Sequence, residues 1–267
     1  MSQLRVRPTT PDADGRTLSV TPESAGWGHV GFALHQLKPG QSVHGLETTR
    51  ELCLVLVAGS ARITAGDTDL GITGGRESPF VDAAPGAAYI PAGTPYSVTA
   101  EGPVELAICS APGRPGGDAR LIAPARMGRE VRGQGTNTRH VRNILPEGER
   151  ADSLLVVEVV TPGGHWSSYP PHKHDTARGD DETLLEETYY HRLHPPQGFA
   201  FQRVYTDDRS LDETIAVEDG DVVMVPRGYH PVGAAHGYDL YYLNVMAGPE
   251  RRWRFHNDPA HEWIIKP

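Results

Sequence analysis

Two histidines one residue apart, His172 and His174, stand in the run PPHKHD, with Glu187 thirteen residues further on and His230 later in VPRGYHPV. In an extended strand alternate side chains share a face, so both imidazoles can reach one ion. A carboxylate and a third imidazole from neighbouring strands would complete a mixed nitrogen and oxygen donor set for a first-row divalent metal. His172, His174, Glu187 and His230 are therefore the expected metal ligands. Any one of these histidines alone would read as a hydrogen-bonded structural residue; their joint spacing points to a metal. Imidazole and carboxylate donors suit Zn or Mn, and also accommodate Fe or Ni.

The elements that must position these residues are short and extended. The second half contains LLVVEVVTPGG, EETYYHRL, GFAFQRVYT, DVVMVPRGYHPV and YDLYYLNVMAGP, and the first half GFALHQLKPGQSV, ELCLVLVAGSARITAG and AAYIPAGTPYSVTA. Each run is rich in β-branched, aromatic or aliphatic residues and ends in turn-forming punctuation. With 30 Gly and 23 Pro in 267 residues, short strands and turns are favoured over long helices. That length suffices for two modest domains or one large all-β domain. Between the halves, APGRPGGDARLIAPARMGREVRGQGTNTRHV reads as a Gly- and Arg-rich connector.

The formal charge of −9 argues against a nucleic-acid partner while leaving room for a locally basic pocket. Cys53 and Cys109 both sit in apolar runs and read as buried free thiols rather than a disulfide. The opening MSQLRVRPTT lacks an apolar signal core, and no apolar run approaches the ~20 residues of a membrane span. The expectation is a cytoplasmic protein without a membrane partner.

In both halves a strand leads to Pro-x-Gly, as Pro91-Ala92-Gly93 and Pro226-Arg227-Gly228; Tyr96 follows the first and His230 the second. This pattern resembles the cupin superfamily, which carries His-x-His, Glu and Gly in a first motif and Pro-x-Gly then His in a second. Here those are His172, His174, Glu187 and Gly198, then Pro226, Gly228 and His230. The resemblance implies an all-β fold of two tandem cupin barrels (double-stranded β-helix, or jelly-roll). Residues 1–125 would form a barrel without metal and residues 126–267 the metal-binding one. In the first half SVHGLETTRELCLV lacks His-x-His, and His44 with Glu47 alone makes a poor site. Cupins place the Glu a few residues after the second His, whereas DTARGDDETLLE intervenes here and reads as a polar loop between two strands, with its acidic run Gly179-Asp180-Asp181-Glu182 solvated. That leaves Glu186 beside Glu187 as an alternative; Glu187 is favoured because alternation puts Tyr189 and His191 on its face.

Five blocks in order, SSYPPHKHD, LEETYYHR, GFAFQRVYTDDRSLDET, DVVMVPRGYHPV and YYLNVMAGPERRW, resemble the uronate isomerase family within the cupins. What this implies is interconversion of an aldose-type uronic acid and its ketose isomer. The branch most resembled converts 5-deoxy-D-glucuronate to 2-deoxy-5-keto-D-gluconate in myo-inositol catabolism; a neighbouring branch isomerises a 4-deoxy-uronate from pectin. A divalent ion can act as Lewis acid toward adjacent carbonyl and hydroxyl oxygens, and no Gly-rich nucleotide fingerprint occurs in a βαβ context. Proton transfer needs a group within hydrogen-bond reach, for which Tyr189 and His191 are the candidates. Arg203 is the expected partner of the small-molecule substrate's carboxylate, which a guanidinium binds in two-pronged fashion. Lys173 is expected to face away from the ligands into solvent or a subunit contact. The family also implies a homo-oligomer. The stretch from Gly133 to Arg139 resembles a family block, but its spacing shows no physical role. A metal-dependent dioxygenase and a non-catalytic sugar-acid-binding module would fit the same ligand set.

Overall fold

The apolar runs fold as antiparallel strands in the computed structural model, which describes residues 3–265. Met1, Ser2, Lys266 and Pro267, the outer ends of the two expected domains, lie outside the described residues. Among the described residues, helix is confined to Pro22–Ala25 and three 3-10 segments, Pro124–Arg126, Gly135–Asn137 and Glu262–Ile264. No helix is long and apolar enough to cross a membrane. The chain is thus predominantly β-sheet.

It divides into two compact units that interleave along the chain. One comprises Pro8–Gly128 and Arg142–Val156, the other Met1–Arg7, Arg129–Val141 and Val157–Pro267.

The first unit is organised by one long strand, Arg50–Ala65. Its first half pairs with Gly86–Ile90 and Val104–Pro112, its second half with Thr68–Arg76 and Pro95–Ala100. Between the halves the register slips, and Gly59 adopts φ 87°. Only glycine serves there, because a Cβ would strike the carbonyl of Pro103. The bend curls the sheet into a half-barrel around Leu52, Leu54, Leu56, Ile63, Val98 and Leu106. Cys53 and Cys109 face each other across paired strands as buried free thiols.

The 142–156 segment is held in this unit by Glu51, a fully buried carboxylate. It accepts the Tyr89 hydroxyl at 2.6 Å and the backbone N–H groups of Asp152, Ser153 and Leu154 at 2.7, 2.6 and 2.6 Å. A buried anion is tolerable only with such a shell of donors. Burial and this carboxylate together push the Tyr89 hydroxyl well above its usual range.

In the second unit four strands lie side by side in one sheet, in the order Arg5–Val6, Val222–Val225, Glu186–His194 and Asp239–Ala247. The opening residues are tied in by Arg5, which ion-pairs with Asp221 at 2.6 Å and Glu218 at 3.0 Å. A smaller sheet runs Trp166–Ser167, Val232–Ala234, Ala200–Tyr205 and Asp212–Val217. The two residues His172–Lys173 pair with His256–Asn257.

Candidate metal centre

His174, Glu187 and His230 come together although separated in sequence, and one potential ligand atom from each lies within 4.8 Å of the others. Glu187 projects from the strand Glu186–His194, in register with Val225 on one side and Met246 on the other. His174 is brought back to it by the hairpin that follows. Leu185 donates its N–H to the His174 carbonyl at 2.9 Å, and the His174 Nδ1 lies 3.1 Å from the Leu185 carbonyl. His230 follows the Pro226–Gly228 turn, with its Nδ1 2.8 Å from the Gly228 carbonyl.

In both histidines the contact of Nδ1 with a backbone carbonyl turns Nε2 toward the centre. His174 Nε2 and His230 Nε2 each stand 3.2 Å from Glu187 Oε2. The other carboxylate oxygen, Oε1, accepts from Asn244 Nδ2. His230 Nε2 is buried and makes no hydrogen bond among the described residues. A buried carboxylate beside two imidazole Nε2 atoms is a donor set that a divalent ion fits.

Burial pushes His230 down to about 4. It also holds His172 well below its ordinary value, with the neighbouring His230, His174 and Arg139 adding to the effect. Both rings are therefore neutral and available as ligands. Burial opposes the proton on His174 too, but the hydrogen bond and charge of Glu187 outweigh it and leave that residue raised.

His172 stands outside the three-residue cluster. Its ring centroid lies 4.9 Å from that of His230 and 6.4 Å from that of His174, and it lines a cavity that Glu187 also lines. Glu187 is buried where Glu186 is half-buried, and it is Glu187 that meets the histidines.

The cavity, about 500 Å³, is lined by His172, Glu187, Tyr189, Tyr242, Asn244 and Arg139 among others. Tyr189 places its hydroxyl 2.9 Å from Ser168 Oγ, and Ser168 is held at φ 49°. Burial pushes the Tyr189 hydroxyl well above its ordinary range, so it enters the cavity as a neutral phenol. His191 stacks beside Tyr189, with ring centroids 5.8 Å apart, but does not line the cavity. Its Nε2 meets Gln202 Oε1 at 2.9 Å, and burial pushes it down to about 4.

Arg203 is not at the site. On the strand Ala200–Tyr205 it is Gln202 that points inward, while Arg203 pairs outward with Asp212 at 2.8 and 2.7 Å. Lys173 faces away from the ligands as alternation requires, but into the protein rather than solvent. It is buried and ion-paired with Asp175 at 2.9 Å and Asp207 at 2.8 Å. The intervening DTARGDDETLLE segment is likewise no solvated loop throughout. Glu182 is fully buried, pairs with Arg178, and accepts the N–H groups of Asp175 and Thr176 at 2.9 and 3.2 Å.

Sequence reasoning missed Asn244 and Arg139. Asn244 had a visible signal, being an amide set among the apolar and aromatic residues of a largely buried strand.

The KduI/IolB family profile matches residues 4–264. A 5-deoxy-glucuronate isomerase of Geobacillus kaustophilus is 52% identical over 266 residues, covering 100% of this chain and 96% of the relative. One from Bacillus subtilis is 48% identical over 248 residues, covering 92% of each chain. Among solved structures, an IolB-like protein of Salmonella typhimurium superimposes with a TM-score of 0.95 at 54% identity, covering 98% of this chain and 99% of that one. A Bacillus subtilis oxalate decarboxylase superimposes at 0.63 with 15% identity over 96% of this chain and 80% of its own, a likeness of fold alone.

Proposed function

The chain belongs to the KduI/IolB family, and from that premise we propose that it is a metal-dependent isomerase converting 5-deoxy-D-glucuronate to 2-deoxy-5-keto-D-gluconate in inositol catabolism. The observation that carries the reading is the buried carboxylate Glu187 between the Nε2 atoms of His174 and His230, in a cavity large enough for a six-carbon acid. Near-full-length identity to the Geobacillus and Bacillus isomerases supports the substrate.

Aldose to ketose conversion moves one carbon-bound proton from C2 to C1 and one hydroxyl proton from O2 to O1, with no net gain or loss of electrons. His174, Glu187 and His230, with His172 as a fourth ligand, would hold a divalent ion, which would supply Lewis acidity. Zn or Mn suits these donors, and Fe or Ni is accommodated. Tyr189 lies in the cavity as a neutral phenol and is assigned the handling of the oxygen-bound proton, with Ser168 as its hydrogen-bond partner. His191 is assigned to support Tyr189 from behind. We further read the two units as tandem cupin barrels, the first without metal, in a cytoplasmic homo-oligomer.

The test is anaerobic turnover of 5-deoxy-glucuronate followed by NMR, before and after chelation. Formation of the keto acid that stops on chelation and returns with a divalent ion is expected. A requirement for oxygen would move the protein to dioxygenase chemistry, and binding without conversion would make it a sugar-acid-binding module.

A further inference from the structure

Two guanidinium groups line the cavity, those of Arg132 and Arg139. Arg132 is already neutralised: Glu130 takes its Nε at 2.9 Å and its Nη2 at 3.2 Å, and the guanidinium carbon lies 5.2 Å from the Trp253 ring centroid. Arg139 is different. Its Nη1 donates to the Asn137 carbonyl at 3.1 Å, and no carboxylate among the described residues pairs with it. A partly buried guanidinium answered only by one backbone carbonyl keeps most of its donors for something else.

The backbone before it is shaped to hold it there. Gly133 sits at φ 78°, where an added Cβ would strike the Asn137 carbonyl and come within 2.8 Å of Arg139 Nη1. The short 3-10 turn Gly135–Asn137 follows, and the Thr138 carbonyl is fixed 3.0 Å from the His165 Nδ1. The stretch from Gly133 to Arg139, which had no role in its spacing alone, therefore forms a small cradle that delivers one cation to the cavity wall.

We propose that Arg139 binds the carboxylate of the open-chain substrate, setting the preference for an acid over a neutral sugar. The inference rests on the isomerase reading above. With the aldehyde end directed to the His174–Glu187–His230 cluster, the C6 carboxylate is the one group of the substrate that calls for a planar, two-pronged cation.

The experiment compares metal-loaded wild type with Arg139→Gln and Arg139→Lys on two compounds. These are 5-deoxy-glucuronate and 5-deoxy-glucose, in which a hydroxymethyl group replaces the carboxylate. Metal content is measured for each protein, and calorimetry measures binding of the acid whether or not it turns over. Loss of one charged hydrogen-bonded pair is expected to lower kcat/KM for the acid and weaken its binding ~10–100-fold in Arg139→Gln. Activity on the neutral sugar should stay within about threefold, with partial recovery in Arg139→Lys and unchanged metal content. An equal loss on both compounds, or none, overturns the assignment. If wild type binds the acid without converting it, the isomerase reading fails while the binding ratio still decides Arg139. If wild type does neither, both readings fall.

Discussion

His174 serves two neighbours at once. Its Nδ1 is taken by the Leu185 carbonyl, and its Nε2 points at Glu187 Oε2. Replacing it with alanine leaves a buried carboxylate facing one remaining imidazole of the cluster, a poor hold for an ion that wants several donors. His174→Ala is expected to lose both bound metal, read by elemental analysis, and turnover. Arg203→Ala provides the contrast. Its side chain is 43% exposed and paired with Asp212, an arrangement worth about 0–1 kcal/mol. KM should therefore stay within about twofold of wild type, and a large rise would return Arg203 to the substrate site.

At the scale of elements, the turn Pro226–Gly228 shows how the fold aims a ligand. Gly228 has φ 91°, donates its N–H to Asp175 Oδ2 at 2.9 Å, and offers its carbonyl to His230 Nδ1 at 2.8 Å. Asp175 is in turn ion-paired with the buried Lys173. An alanine here would be strained by φ and would press its Cβ against the Tyr205 carbonyl. Gly228→Ala is expected to cost about 1–3 kcal/mol of stability and to weaken metal affinity at least tenfold, although every ligand is retained. Chelator competition measures the second effect; unchanged affinity would mean that the turn does not aim His230. The turn and its histidine were legible in the sequence because Pro-x-Gly and a following His are local. Strand alternation likewise found Glu187 and Tyr189. A guanidinium's fitness for a carboxylate does not say which face of its strand it takes, and Arg203 shares the outward face with the half-exposed Phe201. Alternation turns Lys173 away from the ligands and a run of like charge reads as solvated at Glu182, but neither rule knows the Asp175, Asp207 and Arg178 groups folded against them. Glu51 and its donors lie about a hundred residues apart, beyond any local pattern.

For the whole molecule, the ion and the fold must stabilise each other. His174, Glu187 and His230 are separated along the chain and meet only in the folded second unit, so an ion bound there favours the folded chain by mass action. At one hundred times Kd this amounts to about 2.7 kcal/mol. For a chain of this size that corresponds to a rise in Tm of roughly 5–10 °C. The same unit holds the fully buried Tyr189, Tyr190, Tyr205, Tyr229 and Tyr241, so near-ultraviolet circular dichroism follows its melting directly. The midpoint of that signal is expected to rise progressively with divalent-ion concentration and to fall on chelation. In His174→Ala it should no longer respond. A midpoint indifferent to the ion in wild type would show that the cluster does not hold a cation in the folded state. Equal responses in wild type and His174→Ala would place the ion elsewhere on the chain.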